Sequence, residues 1–224
     1  EHLFAHEEVV VGDLSDLEAL TAAAQGIDVI VHLGAVADEA SFERIREANI
    51  DGTYNVYEAA RRAGVRRIVF ASSNHIIGFH PASERLDESA SIRPDSYYGV
   101  SKAFGEALAS LYYDKWGVES VLLRIGTFRP EPEDVRQLAL WLSWRDGIEL
   151  TRCAIENGPV GCQVVYGVSA NDDAWWDAQA GWAAIGFTPQ DNAAEHAQDV
   201  DFDVPAPQYH GGAFTASEYQ GGIW

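Results

Sequence analysis

The sequence predicts an α/β protein built on a doubly wound parallel sheet. Three observations predict it: continuous apolar runs of strand length, long helical patterns between them, and chemically reactive residues where those runs end. Strands alternating with helices are joined by right-handed crossovers and pair in parallel. Such strands are covered on both faces, so they are apolar throughout rather than at every second position.

Val9-Val10-Val11 reads as a buried strand ending at Gly12-Asp13, and Ser15 with Glu18 has the capping-box spacing that starts a helix. Val29-Ile30-Val31-His32-Leu33 is the next strand, ending at Gly34-Ala35. Residues 42–63 carry a long helical pattern that stops at Gly64. Residues 67–72 read as a third strand, 98–116 as a second long helix and 121–125 as a fourth strand. After about residue 127 the pattern loosens into Pro-rich turns, short helices and the segment around Trp175-Trp176-Asp177, with a tail from about Asp199. The expected organisation is a sheet-bearing domain over 1–126 and a small substrate-covering region over 127–224, packed as one compact unit.

The 224 residues, 47% of them hydrophobic, are enough for one good-sized core and exclude a disordered chain. No apolar run approaches the roughly 20 residues of a membrane span, and the N-terminus lacks a signal-peptide pattern, so a cytoplasmic protein is expected. A formal charge of −20 disfavours nucleic acid and anionic membrane surfaces as partners. Acidic residues outnumber basic ones 35 to 15, and the only lysines are Lys102 and Lys115. Such a surface suits a salt-rich cytoplasm; an ordinary acidic enzyme is the alternative. Cys153 and Cys162 lack the paired spacing of a metal site and read as reduced, non-catalytic thiols; no metal is expected. The chain has no Met and opens with Glu1, which suggests a fragment.

Ligands of doubly wound sheets bind at the carboxyl ends of the strands, which directs attention to Gly12-Asp13, Gly34-Ala35 and Ser72-Ser73. Tyr98-Gly-Val-Ser-Lys102 puts a phenol and an ammonium on one face of a helix start. A nearby cation favours phenolate and draws its pKa of about 10 toward the working range of a general base. Ser73 is placed to hydrogen-bond the same substrate hydroxyl while Tyr98 takes its proton and a nicotinamide accepts the hydride. A lone Tyr-x-x-x-Lys is weak evidence; its place after a Ser-ended strand in a βαβ series makes it a catalytic candidate.

These residues resemble the extended short-chain dehydrogenase/epimerase family, within it the uronate dehydrogenases. The resemblance is carried by Gly12-Asp13-Leu14, His32-Leu33-Gly34-Ala35, the stretch from Asn49 to Ala60, Phe70-Ala-Ser-Ser-Asn-His-Ile-Ile-Gly78, Tyr98 to Lys102 and Arg124-Ile-Gly126. It continues through Pro130-Glu-Pro132, Trp141 and Gly167-Val-Ser-Ala-Asn-Asp172 to Trp175-Trp176-Asp177, nearly the whole chain. It implies a Rossmann-like dinucleotide domain and NAD-dependent oxidation of a pyranose uronic acid, glucuronate or galacturonate, at C1 to an aldarolactone. By the resemblance Asp13 and Leu14 face the adenine, and Leu33, Gly34 and Ala35 line the middle of the cofactor. Asn49, Ser72, Tyr98, Lys102 and Ile125 complete the NAD site, with Lys102 on the nicotinamide ribose. Ser73, Asn74, His75, Tyr98 and Thr127 contact the sugar, and Arg136 pairs with its carboxylate through a two-pronged fork.

Other readings stand beside these. Asp13 can cap the helix after it, Asn49 can serve a buried structural bond, and His75 and Arg136 read alone as ordinary loop and surface residues. Trp175 and Trp176 read as packing residues. A dinucleotide fold needs a first strand and a Gly-rich turn, and no G-x-x-G-x-x-G precedes Val9. The family would place both, with the acidic residue that selects NAD, upstream of Glu1. Ala37 and Thr127 stand where the family suggests serines. The rival functions are a nucleotide-sugar epimerase or dehydratase on the same scaffold and a non-catalytic NAD-sensing or scaffold protein. The two long helices suit a homo-oligomer interface or burial within one chain.

Overall fold

The apolar runs of the sequence pair side by side in a computed structural model that describes residues 7–203 and 205–222. Its elements in chain order are α1 (Leu17–Ala23), β1 (Val29–His32), α2 (Phe42–Ile45), α3 (Gly52–Ala63), β2 (Arg67–Ser73), α4 (Tyr97–Trp116) and β3 (Glu119–Ile125). Then follow β4 (Thr127–Phe128), α5 (Val135–Leu140), β5 (Trp141–Leu142), α6 (Trp144–Glu156), β6 (Cys162–Gly167) and α7 (Gln179–Ile185). One parallel sheet has the order β1-β2-β3-β6, with Ile30 beside Ile68, Val69 beside Val121 and Leu123 beside Val165.

Alternation along the strands splits the core between the two faces of the sheet. Ile68, Phe70 and Leu122 pack with Tyr57 and Ala60 of α3 and with Leu108, Ala109 and Tyr112 of α4. Val69, Val121, Leu123 and Val165 pack on the other side with Leu150 and Ala154 of α6 and with Trp182 and Ile185 of α7. Both faces of β2 and β3 are therefore dry, as the continuous apolar pattern requires. The α4 residues Tyr98, Lys102, Gly105 and Ala109 recur at helical spacing on its inner face. Gly105 lets the helix approach the sheet, because a Cβ there would lie 2.5 Å from the Phe70 ring.

The structure corrects several sequence expectations. Val9-Val10-Val11 is not a buried strand: all three are exposed, Val11 at 93%. A strand exists through its ladder, and no strand among the described residues pairs with this segment. Asp16, not Ser15, caps α1, its Oδ1 accepting from the Ala19 N–H at 2.9 Å. The pattern over 42–63 is not one α-helix. Between α2 and α3 lies a π-helical turn, Arg46–Asp51, and Gly64 ends α3 in the left-handed region at φ 75°.

The segment after residue 127 is far more regular than its sequence pattern suggests. It supplies β6, an inner layer in α6, and α7. Arg67 joins the two parts: its fully buried guanidinium donates to the Ala154, Asn157 and Gly158 carbonyls at the end of α6 and to Glu119. The chain beyond Asp199 is not a loose tail. Residues 208–222 form a strap that returns to the sheet's carboxyl end, the His210 N–H donating to His80 O and the Gly211 N–H to Gly78 O.

Candidate active site

Ser73 closes β2, and its hydroxyl accepts from the His75 N–H at 3.2 Å as the chain turns into the short 3-10 helix Asn74–Ile77. Tyr98 and Lys102 come from the first turns of α4. That helix starts at Ser96, which caps Gly99 N at 3.0 Å. The Glu39 carboxylate accepts from the Tyr97 and Tyr98 N–H groups at 3.2 and 2.9 Å, so an anion meets the positive end of the helix. Gly99 is needed for close approach: a Cβ there would lie 2.4 Å from the His75 carbonyl oxygen. The result is a cavity of about 270 Å³ lined by Leu33, Ala35, Ser73, Asn74, Tyr98 and Lys102, with Phe214 from the strap as a wall.

Ser73 and Tyr98 both face this cavity, the serine hydroxyl near enough to the phenol to favour its ionised form. The Lys102 ammonium, 4% exposed, donates to the Ala71 carbonyl at 2.7 Å and lies 5.5 Å from the Tyr98 ring centroid. The expected lowering of the phenol's pKa is reversed by its surroundings in the fold. Burial pushes Tyr98 up to about 12, with the Ser73 bond opposing and Asp95 and Asp38 reinforcing. The same desolvation brings Lys102 down to about 8. Dehydration outweighs the cation, so the resting phenol keeps its proton.

Arg136, the residue that the resemblance assigns to the substrate's carboxylate, lies in α5. Its Nε donates to His210 O at 2.9 Å and its Nη1 to Thr127 Oγ1 at 3.4 Å. Asn74, with its amide oriented to satisfy both ends, donates to Ile125 O at 3.2 Å and accepts from Arg136 Nη2 at 2.8 Å. No carboxylate of the described residues lies within 4.0 Å of this guanidinium, which leaves it a cation held only by neutral acceptors. Burial holds its pKa below the usual arginine value, against the pull of Asp134 and Asp95. His75 donates from Nδ1 to Asp95 Oδ2, 2.7 Å away, and its ring stacks on Phe214 with centroids 3.7 Å apart. Burial lowers its pKa, with the Asp95 bond opposing.

The cofactor candidates divide. Leu33, Ala35 and Ile125 line the cavity, while Asp13 and Leu14 border a separate depression with Val36, Arg44 and Glu47. The Leu14 side chain lies 3.0 Å from where a Gly34 Cβ would be, so Gly34 sits between the two hollows. Asp13 also holds a local turn, accepting from Ser15 N at 2.8 Å. Two candidates turn away. The Ser72 hydroxyl donates to Glu106 Oε1 at 2.7 Å, leaving only its backbone for a ligand. The Asn49 amide accepts from Val36 N at 2.7 Å and donates to Val36 O and Ser101 Oγ, both at 3.0 Å. It shapes the loop beside the cavity rather than facing a cofactor, and the π turn is what carries it there.

Sequence reasoning missed Asp95, Glu39, Phe214 and His210. Pro94-Asp95-Ser96 reads as a helix start, and Ser96 takes that role while Asp95 turns to His75. Phe214 and His210 belong to a tail with no periodicity, where no local signal marks them.

His32 closes β1 beneath the site, its Nε2 3.2 Å from Thr53 Oγ1. Burial, with the Lys102 charge, brings it down to about 4. Its folded pKa lies below the ordinary value of about 6.5, so its contribution is full above pH 6.5 and is lost as pH falls toward 4, when the unfolded chain gains a proton first. Urea titrations from pH 7.5 to 4.5 should show the wild type losing about 2 to 3 kcal/mol more than His32→Gln. Parallel curves would rule the histidine out.

A Ser–Tyr–Lys set at the carboxyl end of a doubly wound sheet defines a nicotinamide-dependent enzyme of the short-chain type. Residues 1–140 match the NAD dependent epimerase/dehydratase family, and the chain belongs to it. The chain is 46% identical to uronate dehydrogenase of Pseudomonas syringae pv. tomato over 218 residues, 95% of this chain and 79% of that protein. Glucuronic acid dehydrogenase from Chromohalobacter salexigens superposes with a TM-score of 0.91 at 46% identity, covering 97% of this chain and 84% of that one. A variant of uronate dehydrogenase from Agrobacterium tumefaciens, complexed with NAD, gives 0.90 at 44% identity, with 96% and 83% covered.

Proposed function

We propose that the protein oxidises a pyranose uronic acid, glucuronate or galacturonate, at C1 to the aldarolactone with NAD as oxidant. The observation that carries this is the Arg136 guanidinium, held by Asn74, Thr127 and His210 O without a carboxylate partner and joined through Asn74 to the cavity that Ser73 and Tyr98 line. A half-buried cation of this kind calls for an anion, and a planar fork matches a carboxylate.

Ser73 holds the C1 hydroxyl, and Tyr98 removes its proton as phenolate. Bound beside Lys102, NAD supplies the hydride acceptor. The site fits that group: the nearly buried Lys102 ammonium has Ala71 O as a partner and N–H capacity left for ribose hydroxyls. Its charge also favours the phenolate once substrate and cofactor complete the cavity. Asp13, Leu14, Leu33, Gly34, Ala35, Ile125 and the Ser72 backbone mark the cofactor's path. His75, aimed by Asp95, and Asn74 and Thr127 orient the sugar, and the segment after residue 126 covers it.

The reading places the enzyme in the cytoplasm, where its two free cysteines stay reduced. No helix of the described residues is long and apolar enough to cross a membrane. The exposed Tyr54, Leu111 and Trp116 on α3 and α4 suit self-association, which sedimentation reads directly.

NADH formation with glucuronate and with its uncharged isostere glucuronamide tests the assignment. The wild type should prefer the acid, and Arg136→Gln should cut that preference roughly 10- to 100-fold, the scale of a charged hydrogen bond. A preference unchanged in Arg136→Gln would refute the carboxylate role, and no NADH from either uronate with a folded, NAD-binding protein that carries the first strand and its Gly-rich turn ahead of Glu1 would refute the function.

A further inference from the structure

The orientation of Arg136 depends on a residue that does not line the cavity. His210 is fully buried in the strap, and its backbone carbonyl accepts from Arg136 Nε at 2.9 Å. Its ring is held from both sides: Trp176 Nε1 donates to Nδ1 at 3.0 Å, and Nε2 lies 3.1 Å from the Glu84 carbonyl. An indole N–H can only donate and a carbonyl can only accept, so the ring is neutral, with its proton on Nε2. The backbone on either side is pinned as well, His210 N to His80 O at 3.0 Å and Gly211 N to Gly78 O at 2.9 Å.

These bonds give the carbonyl of His210 one position. Gly212 follows at φ 60° with its missing Cβ 3.0 Å from Arg136 Cδ, so the strap lies directly along the arginine stem. Thr127 and Asn74 hold Nη1 and Nη2, and the third point of the fork, Nε, is set from the strap. The Trp176 ring is itself stacked on Tyr166 with centroids 4.6 Å apart, which ties the anchor to β6 of the main sheet.

We infer that His210 is a positioning residue for substrate recognition: held between Trp176 and Glu84, it fixes the carbonyl that aims the Arg136 fork at the substrate's carboxylate. The inference rests on Arg136 being the carboxylate's partner. A guanidinium whose Nε is released rotates about its stem, and two aligned N–H groups become a loose point charge. The loss falls on the carboxylate and spares the chemistry at C1.

The test compares kcat/KM for glucuronate and glucuronamide in His210→Leu, which has neither ring bond, His210→Gln, which keeps a donor and an acceptor, and Trp176→Phe, which removes the donor to Nδ1 and leaves an aromatic ring. Trp176→Phe keeps the test open should His210→Leu fail to fold. His210→Leu and Trp176→Phe should each lower the preference for the acid roughly tenfold, through KM for glucuronate, with kcat on glucuronamide within about twofold of wild type. His210→Gln should recover most of the preference. Wild-type preference in folded His210→Leu and Trp176→Phe, or an equal loss on acid and amide, overturns the inference alone and leaves the Arg136 assignment standing. A preference that survives Arg136→Gln overturns both.

Discussion

Tyr98→Phe should lower the rate of uronate-dependent NADH formation by roughly a thousandfold while leaving the thermal midpoint close to wild type. The substitution removes one oxygen from a ring that keeps its place against His75, with centroids 5.7 Å apart in the parent. The fold should hardly register it, and the only partner left unmatched is Ser73, which also receives the His75 N–H. The size of the effect follows from Tyr98 facing Ser73 across the cavity as the proposed acceptor of the C1 proton. Because burial pushes the phenol up to about 12, its phenolate fraction grows with pH throughout the working range, so wild-type kcat/KM should rise between pH 7 and 9. More than a tenth of wild-type activity in Tyr98→Phe, or a rate that falls with pH, would remove Tyr98 from the role of base.

The largest expected effect on stability lies one layer below. Arg124 on β3 donates from Nε and Nη2 to Glu106 on α4 at 3.0 and 2.8 Å, and Ser72 donates to the same carboxylate at 2.7 Å. Arg124 and Glu106 are only 4% and 8% exposed. Glu106→Leu leaves a guanidinium and a hydroxyl buried without their acceptor, a loss of about 3 to 5 kcal/mol for a broken buried pair. In a chain of this size that corresponds to a fall in Tm of roughly 6 to 20 °C. Glu106→Leu with Arg124→Leu should recover most of it, since removing both charges removes the uncompensated one. Calorimetry on the single and double variants decides it; a double variant no more stable than Glu106→Leu would mean that packing, not charge, dominates.

The parts of the fold legible in the sequence are those whose signal is local. The strand over 67–72 is apolar and buried, the helix over 98–116 buries one face through Tyr98, Leu108, Ala109 and Tyr112, and both end at residues with an evident role, Ser73 and Gly117. Cys162–Gly167 carried no such signal: Cys162 and Gln163 are half-buried at the sheet's rim, and the strand is recognisable only once β3 lies beside it. Val9–Val11 is the opposite case, strongly strand-like in composition and unpaired in the structure. Propensity proposes a strand, and a ladder with a neighbour makes one.

The site divides in the same way. By itself the sequence determined which candidates meet, Ser73, Tyr98 and Lys102 at the end of a strand and the start of a helix, because spacing along regular elements fixes which side chains share a face. It also determined the candidates Asn74, His75, Thr127 and Arg136, through resemblance. Only the tertiary structure decided how each is used: Ser72 and Asn49 turned inward to Glu106 and Val36, His75 aimed by Asp95, and Phe214 and His210 brought back from the end of the chain. Tertiary burial likewise raised the Tyr98 pKa where the Lys102 spacing alone suggested lowering it. Spacing along one element is written in the chain, whereas the hydration of a charge and the partner of a buried donor depend on segments that meet only when the whole molecule has folded.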